Sequence, residues 1–226
     1  MRNSGYFIEI LGYPFECFDA FNYAALLIVD TEEEFSEGEI LKLNDDLVNK
    51  GLSLIVFADW YNITVMKKAK LFDENTGQWW VPETGGSNIP ALNDLLRFYN
   101  ISFGDGIYDG VHSLNEHTIL FASGTSIVKF PKGKNSFLIY RDLDDQGEDF
   151  LKDKQIKAYG IPILGLHQVN TNENSGRVVV YGDSNCLDSS HLEKGKYGKG
   201  NFGVYFIFIY FLRLFLASIS IIGICM

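Results

Sequence analysis

Two continuous apolar runs, each closing on an aspartate, limit what this chain can fold into. Ala24–Asp30 reads AALLIVD and Leu52–Trp60 reads LSLIVFADW. Runs of that length and β-branched content are strands buried on both faces, as in parallel sheets. Between them, Ser36–Lys50 carries Ile40, Leu43 and Leu47 at helical spacing. Ser36 is placed to cap that helix, Glu39 completes a capping box, and Gly51 stops it. Strand, helix and strand of these lengths make one βαβ crossover.

Further elements follow the same reasoning. Tyr6–Leu11 alternates and is rich in strand formers. Val65–Leu71 reads as a short helix, and Asp73–Asn88 as a turn-rich loop holding Trp79 and Trp80. That tryptophan pair is either an exposed patch or folded back onto the sheet. Ile89–Asn100 reads as a helix with Pro90 in its first turn. His117–Ala122, Ile127–Phe130 and Ser136–Tyr140 read as strands, and Gly147–Lys154 as a weak helix. Ile161–Val169 and Arg177–Tyr181 form a hairpin around residues 170–176. The pattern predicts an α/β fold: an open, mostly parallel sheet flanked by helices.

In such sheets ligands sit beyond the carboxyl ends of the strands. Asp30, Asp59 and Asp183 all close strands and are the candidates for a polar crevice there. The alternative is that each caps the turn that follows it.

Recognisable catalytic machinery is missing from the motifs. Gly124-Thr125-Ser126 offers a serine, but the residues that follow it, Ile127–Phe130, read as a strand. The histidines His112, His117, His167 and His191 are isolated, so no triad is assembled around Ser126, which reads as a turn residue. A nucleophile elbow requires Ser or Cys between strand and helix. The bend after Leu52–Phe57 is Ala58-Asp59-Trp60-Tyr61, so acyl transfer there has no nucleophile. Gly85-Gly86 and Gly104-Asp105-Gly106 lack dinucleotide or phosphate-loop spacing and read as loops. No metal ligand set and no cofactor are expected.

The net charge is −10, which repels a phosphate backbone and argues against nucleic-acid partners. Residues 1–193 hold all 29 acidic residues and all but four of the 19 basic ones. Beyond Glu193 only Lys194, Lys196, Lys199 and Arg213 are charged. The globular unit is therefore drawn over 1–193 and an apolar tail over 194–226. Val204–Met226 is long enough to span a bilayer, although Arg213 near its middle costs about 2.5–3.5 kcal/mol on insertion scales. The first residues lack the features of a secretory signal, so the chain reads as starting inside a domain. Three cysteines are too few for a disulfide framework; Cys17 and Cys186 are the candidates for a single bridge if the compartment oxidises. Asn62-Ile63-Thr64 and Asn100-Ile101-Ser102 are glycosylation sequons.

Three long stretches carry a resemblance. They are the segment from Asp59-Trp60-Tyr61-Asn62 through Phe72-Asp73-Glu74-Asn75-Thr76-Gly77-Gln78-Trp79-Trp80 to Thr84-Gly85-Gly86-Ser87-Asn88-Ile89-Pro90, the segment Tyr181-Gly182-Asp183-Ser184-Asn185-Cys186-Leu187-Asp188, and Gly5-Tyr6-Phe7 at the start. Together they resemble the site-1 protease family of the subtilisin/kexin group, over roughly residues 1–193 and with spacing kept. The resemblance is to the luminal region after the peptidase domain, which implies a glutamine-amidotransferase-like, flavodoxin-like α/β fold. The family's Asp, His and Ser have no counterparts in this chain, so the implied role is an accessory domain without catalysis of its own. The resemblance implies the parent's peptidase domain as a partner and membrane-bound transcription factor precursors as the parent's substrates. It also implies an endoplasmic reticulum or Golgi lumen, with membrane anchoring through the parent. From about Lys194 the resemblance ends. Gly195-Lys196-Tyr197 can be encoded by a splice-donor-like run, so the tail is expected to be either translated intron or a membrane anchor. A stand-alone amidotransferase-like enzyme and a tail-anchored binding protein are the alternatives.

Overall fold

The computed structural model describes residues 7–114, 117–147, 156–170, 175–187 and 221–225. Its strands are β1 (Phe7–Ile10), β2 (Ala25–Val29), β3 (Ser53–Phe57), β4 (Leu71–Asp73), β5 (Gln78–Trp80), β6 (Ser102–Phe103) and β7 (Tyr108–Leu114). They continue with β8 (His117–Gly124), β9 (Ile127–Lys129), β10 (Ser136–Asp145), β11 (Ile156–Gln168), β12 (Arg177–Tyr181) and β13 (Ile221–Cys225). The helices are α1 (Glu37–Asn49), α2 (Ile63–Lys68) and α3 (Ile89–Leu96).

The main sheet runs β1-β13-β2-β3-β12-β11-β10-β7-β8. From β1 to β12 every pairing is parallel. From β12 to β8 every pairing is antiparallel. The fold is α/β, as the apolar runs predict, with the parallel half built from the runs that named it. The antiparallel half is longer than expected: β10 extends to Asp145 and β11 begins at Ile156, and β7 lies between β10 and β8.

The parallel strands alternate their side chains between two cores. Leu26, Ile28, Leu54, Val56, Val178 and Val180 face the first, with Ile40, Leu43 and Leu47 of α1 and Leu92, Leu95 and Leu96 of α3. Ala25, Leu27, Ile55, Phe57, Val179 and Tyr181 face the second. There, among the described residues, most of the cover comes from strands. Ile119 and Phe121 of β8, Leu143 of β10, and Ile163 and Leu164 of β11 fill it. The antiparallel half therefore curls back over the sheet's second face. Each fully buried aliphatic chain in these layers contributes roughly 1.5–3 kcal/mol.

The α1 cap forms as its sequence dictates. Glu39 N donates to Ser36 Oγ at 3.1 Å, and Ser36 N donates to Glu39 Oε2 at 2.9 Å. Glu39 Oε1 also accepts from Phe15 N at 3.0 Å, tying the turn Phe15–Cys17 to the helix.

Elsewhere the boundaries move. The helix expected over Val65–Leu71 is α2, begun at Ile63 by the Asn62 cap and ended before the strand β4. The expected loop Asp73–Asn88 contains β5, which pairs with β4 as a hairpin. The helix expected over Ile89–Asn100 stops at Leu96; a 3-10 turn over Arg97–Tyr99 follows, and Asn100 ends it in the left-handed region at φ 58°. Asparagine tolerates that conformation better than most residues. The weak helix expected over Gly147–Lys154 falls, beyond Gly147, outside the described residues. So does most of the tail. Its described part, Ile221–Cys225, is the parallel strand β13 between β1 and β2. Among the described residues no helix is long and apolar enough to cross a membrane.

Candidate functional site

The register of the parallel half fixes where the strand-end acids lie. Val29 is level with Phe57, and Phe57 with Tyr181. Asp30 follows β2 directly, while Asp59 and Asp183 each stand two residues beyond β3 and β12. The fold thus brings all three to one edge of three adjacent strands.

Asp59 is buried and Asp183 fully so. Asp59 Oδ1 accepts from Trp60 N at 2.8 Å, and Oδ2 accepts from Asn185 Nδ2 at 3.0 Å. The same Asn185 amide donates to Ala122 O at 2.9 Å, and Ala122 N donates to Asp183 Oδ2 at 3.2 Å. One segment of β8 therefore reads both the asparagine and the aspartate of the turn after β12. Asp30 adopts φ 46°, a strained position for a residue with a side chain. Among the described residues, Asp30 Oδ1, Asp183 Oδ1 and Ser184 Oγ are buried and have no hydrogen-bond partner.

Burial raises the affinity of all these carboxyls for protons. Asp59 is pushed up to about 7, by desolvation first and by the charges of Asp30 and Asp109 after it; Trp60 N and Asn185 act against the rise. Asp183 is raised well above the ordinary carboxylate value, again by desolvation first, with Asp59 and Asp30 adding to it. Asp30 is raised by burial, with the nearby Ser184 hydroxyl opposing. Asp109, whose carboxylate accepts from Ser123 N, is raised by burial as well. Like charges in a low-dielectric pocket raise one another's affinity for protons. Asp59, at about 7, is close to half protonated at neutral pH. Among the described residues no group of three or more His, Cys, Asp or Glu is placed to hold a metal ion.

The turn after β3 is sealed as well as lacking a nucleophile. Asp59 N donates to Ser87 Oγ at 2.9 Å, and Gly86 N donates to Trp60 O at 2.8 Å. A Cβ on Gly86 would stand 2.3 Å from Asp59 Oδ2, and one on Gly85 would stand 2.5 Å from Trp60 O. The glycine pair lies flat across the bend because only a bare backbone fits there. The sequence alone places these glycines in a loop; consecutive glycines opposite a strand end are the signal of close backbone approach.

The remaining candidates are dispersed. Ser126 is buried in the turn between β8 and β9, where Thr125 Oγ1 donates to Gly104 O at 2.8 Å and Gly104 N donates to Ser126 O at 2.8 Å. His112 is buried beside Tyr181, with Nε2 3.1 Å from the phenol oxygen. Burial pushes His112 down to about 4, with Arg141 adding to the effect, so it is neutral at physiological pH. His167 Nδ1 lies 3.0 Å from Ser136 Oγ. Cys17 and Cys186 are both free thiols, Cys17 exposed and Cys186 buried. Cys186 packs in the second core, whereas Cys17 ends a turn whose Phe15 packs in the first. The sheet lies between the two cores, and the bridge considered from sequence is not formed. Burial and three nearby carboxyls push the Cys186 thiol well up, so it is a poor nucleophile. Asn62 caps α2, accepting from Val65 N at 3.0 Å and donating to Asp105 O at 3.0 Å. Asn100 is exposed.

A parallel half with acids at its carboxyl edge, and a bend where a nucleophile would stand, defines a glutamine-amidotransferase-like domain without the nucleophile. The family model described as "MBTPS1, fourth GATase-like domain" matches residues 1–199, and the chain belongs to that family. It is 53% identical over 194 residues to the membrane-bound transcription factor site-1 protease of Homo sapiens, covering 86% of this chain and 18% of that protein. It is 46% identical over 194 residues to the subtilisin-like protease SBT6.1 of Arabidopsis thaliana, covering 85% of this chain and 18% of that one. The chain thus spans less than a fifth of the length of these relatives. It is related to an accessory domain of subtilisin-like proteases.

Proposed function

We propose that this chain is a non-catalytic accessory domain of a longer subtilisin-type serine endopeptidase, and that it supports the peptidase domain of that protein. The closed bend at Asp59 carries the reading. A carboxyl replaces the nucleophile, and Gly86 and Ser87 cover it. An enzyme of this architecture needs that bend open to substrate. Buried hydrogen bonds among Asp59, Asn185, Ala122 and Asp183 instead tie the end of β3 to β8 and to the turn after β12.

The finer parts of the reading rest on the relatives. The parent protein processes membrane-bound transcription factor precursors, in the lumen of the endoplasmic reticulum or Golgi, and is held there by a membrane anchor. In that compartment the exposed Asn100 is the acceptor for a glycan; Asn62 is held at both ends of its amide. The domain is drawn over residues 1–193, and Ile221–Cys225 of the tail adds the strand β13 to its sheet between β1 and β2.

Expression of the full-length protein tests the proposal. Cleavage of a precursor is expected to require the serine of its own peptidase domain and to survive Asp59→Asn in this domain. Cleavage that persists without that serine and vanishes in Asp59→Asn would overturn it. Sequencing the transcript across Glu193 tests the boundary: a continuous exon reaching the stop codon contradicts the intron reading of the tail.

A further inference from the structure

The β4–β5 hairpin stands out of the body of the domain with its apolar side chains in solvent. Leu71 is 72% exposed, Phe72 50%, Trp79 60% and Trp80 57%. The pairs Leu71↔Trp80 and Phe72↔Trp79 fall on opposite faces of the hairpin, so neither face packs on the core. A two-stranded hairpin with bare apolar faces is marginal in water. This one is nevertheless held in shape. Asp73 Oδ1 accepts from Asn75 N at 3.0 Å, and Thr76 Oγ1 donates to Asp73 Oδ2 at 2.7 Å. The Phe72 and Trp79 rings lie 5.2 Å apart, and Lys70 Nζ sits 4.6 Å over the Trp79 ring. It is a preorganised aromatic surface, of the composition that dominates recognition hot spots.

Its size selects the occupant. The four side chains leave on the order of 450 Å² uncovered, taking aromatic rings at about 200 Å² each. That falls short of the roughly 800 Å² per partner that a stable complex between separate molecules buries. It suits a contact between domains of one chain, where tethering supplies roughly millimolar effective concentration and a small patch suffices. The relatives are more than five times the aligned length, each being covered to only 18%.

We infer that the β4–β5 hairpin is the docking element by which this domain is held against another domain of the same polypeptide, in an apolar cleft that receives Trp79 and Trp80. This rests on the chain being one domain of a longer protein.

The test uses the full-length protein in cells, with Trp79→p-benzoylphenylalanine as a photo-crosslinker. Irradiation is expected to join position 79 to peptides of the same polypeptide outside residues 1–226, without a change in molecular mass. Crosslinks to lipid, to a second copy at doubled mass, or to another protein overturn the inference. Radical footprinting of the unmodified full-length protein is a second measurement, independent of whether the variant folds. Trp79 and Trp80 are expected to react several-fold more slowly than exposed Tyr159; equal reactivity overturns the inference. An immunoblot that finds no polypeptide longer than this chain overturns the parent reading as well, whereas a longer polypeptide with reactive tryptophans overturns only the docking.

Discussion

Gly86 lies against Asp59 so closely that a single added carbon would stand 2.3 Å from the carboxyl oxygen. The contact couples the loop before α3 to the bend after β3, and it sets the geometry of the whole strand-end cluster. Gly86→Ala forces the carboxyl away from Asn185 or lifts the loop from Trp60. Overpacking of this kind costs roughly 1–3 kcal/mol. Urea denaturation is expected to show that loss, and Gly12→Ala, where a Cβ meets nothing within 4 Å, is expected to show almost none.

The pH dependence of stability follows from the same residue. Asp59 titrates near 3.8 when unfolded and at about 7 when folded. Between those values the folded state binds more protons than the unfolded one, so the contribution of Asp59 is present at low pH and is lost as pH rises through 7. His112 acts in the opposite sense between about 4 and 6.5, since its folded value is depressed. The difference between the wild type and Asp59→Asn isolates the carboxyl. That difference is expected to fall by about 2–3 kcal/mol from pH 5 to pH 8; a flat difference contradicts the raised proton affinity of buried Asp59.

Cys17 and Cys186 are expected to react very differently. Maleimide added to the native protein should modify Cys17, which is exposed, and leave Cys186 untouched until denaturant is added. Mass spectrometry of tryptic peptides reads both. A Cys17–Cys186 disulfide in the purified protein contradicts the placement of the two thiols with different cores.

At the start of α1, Glu39 serves both Ser36 N and Phe15 N, whereas Ser36 Oγ serves one backbone donor in the cap. Ser36→Ala is expected to cost about 1 kcal/mol. Glu39→Ala is expected to cost about 2 kcal/mol, because two donors then lose a charged acceptor. Equal losses in thermal melts contradict the second role of Glu39.

The parallel half was legible because its signals are local. AALLIVD and LSLIVFADW are buried on both faces, and the capping box lies within four residues. The curled half was not. β7 reads YDGVHSL, with too many polar and turn-forming residues to be seen as a strand, and its pairing is decided by β8 and β10. The β4–β5 hairpin has three residues to a strand, too short for periodicity to show. The site divides in the same way. The three acids could be picked out because each closes a run. Ser87 lies 28 positions from Asp59 and Asn185 lies 126 away, and only the fold brings them there.

Hydrolysis by the purified chain is the measurement that bears most directly on the central claim, that the bend at Asp59 is closed and inert. Incubated with glutamine and with peptides ending in basic and apolar residues, the chain is expected to release neither ammonia nor cleaved product above the uncatalysed background. Turnover that disappears in Asp59→Ala would contradict the claim and make the domain an enzyme in its own right.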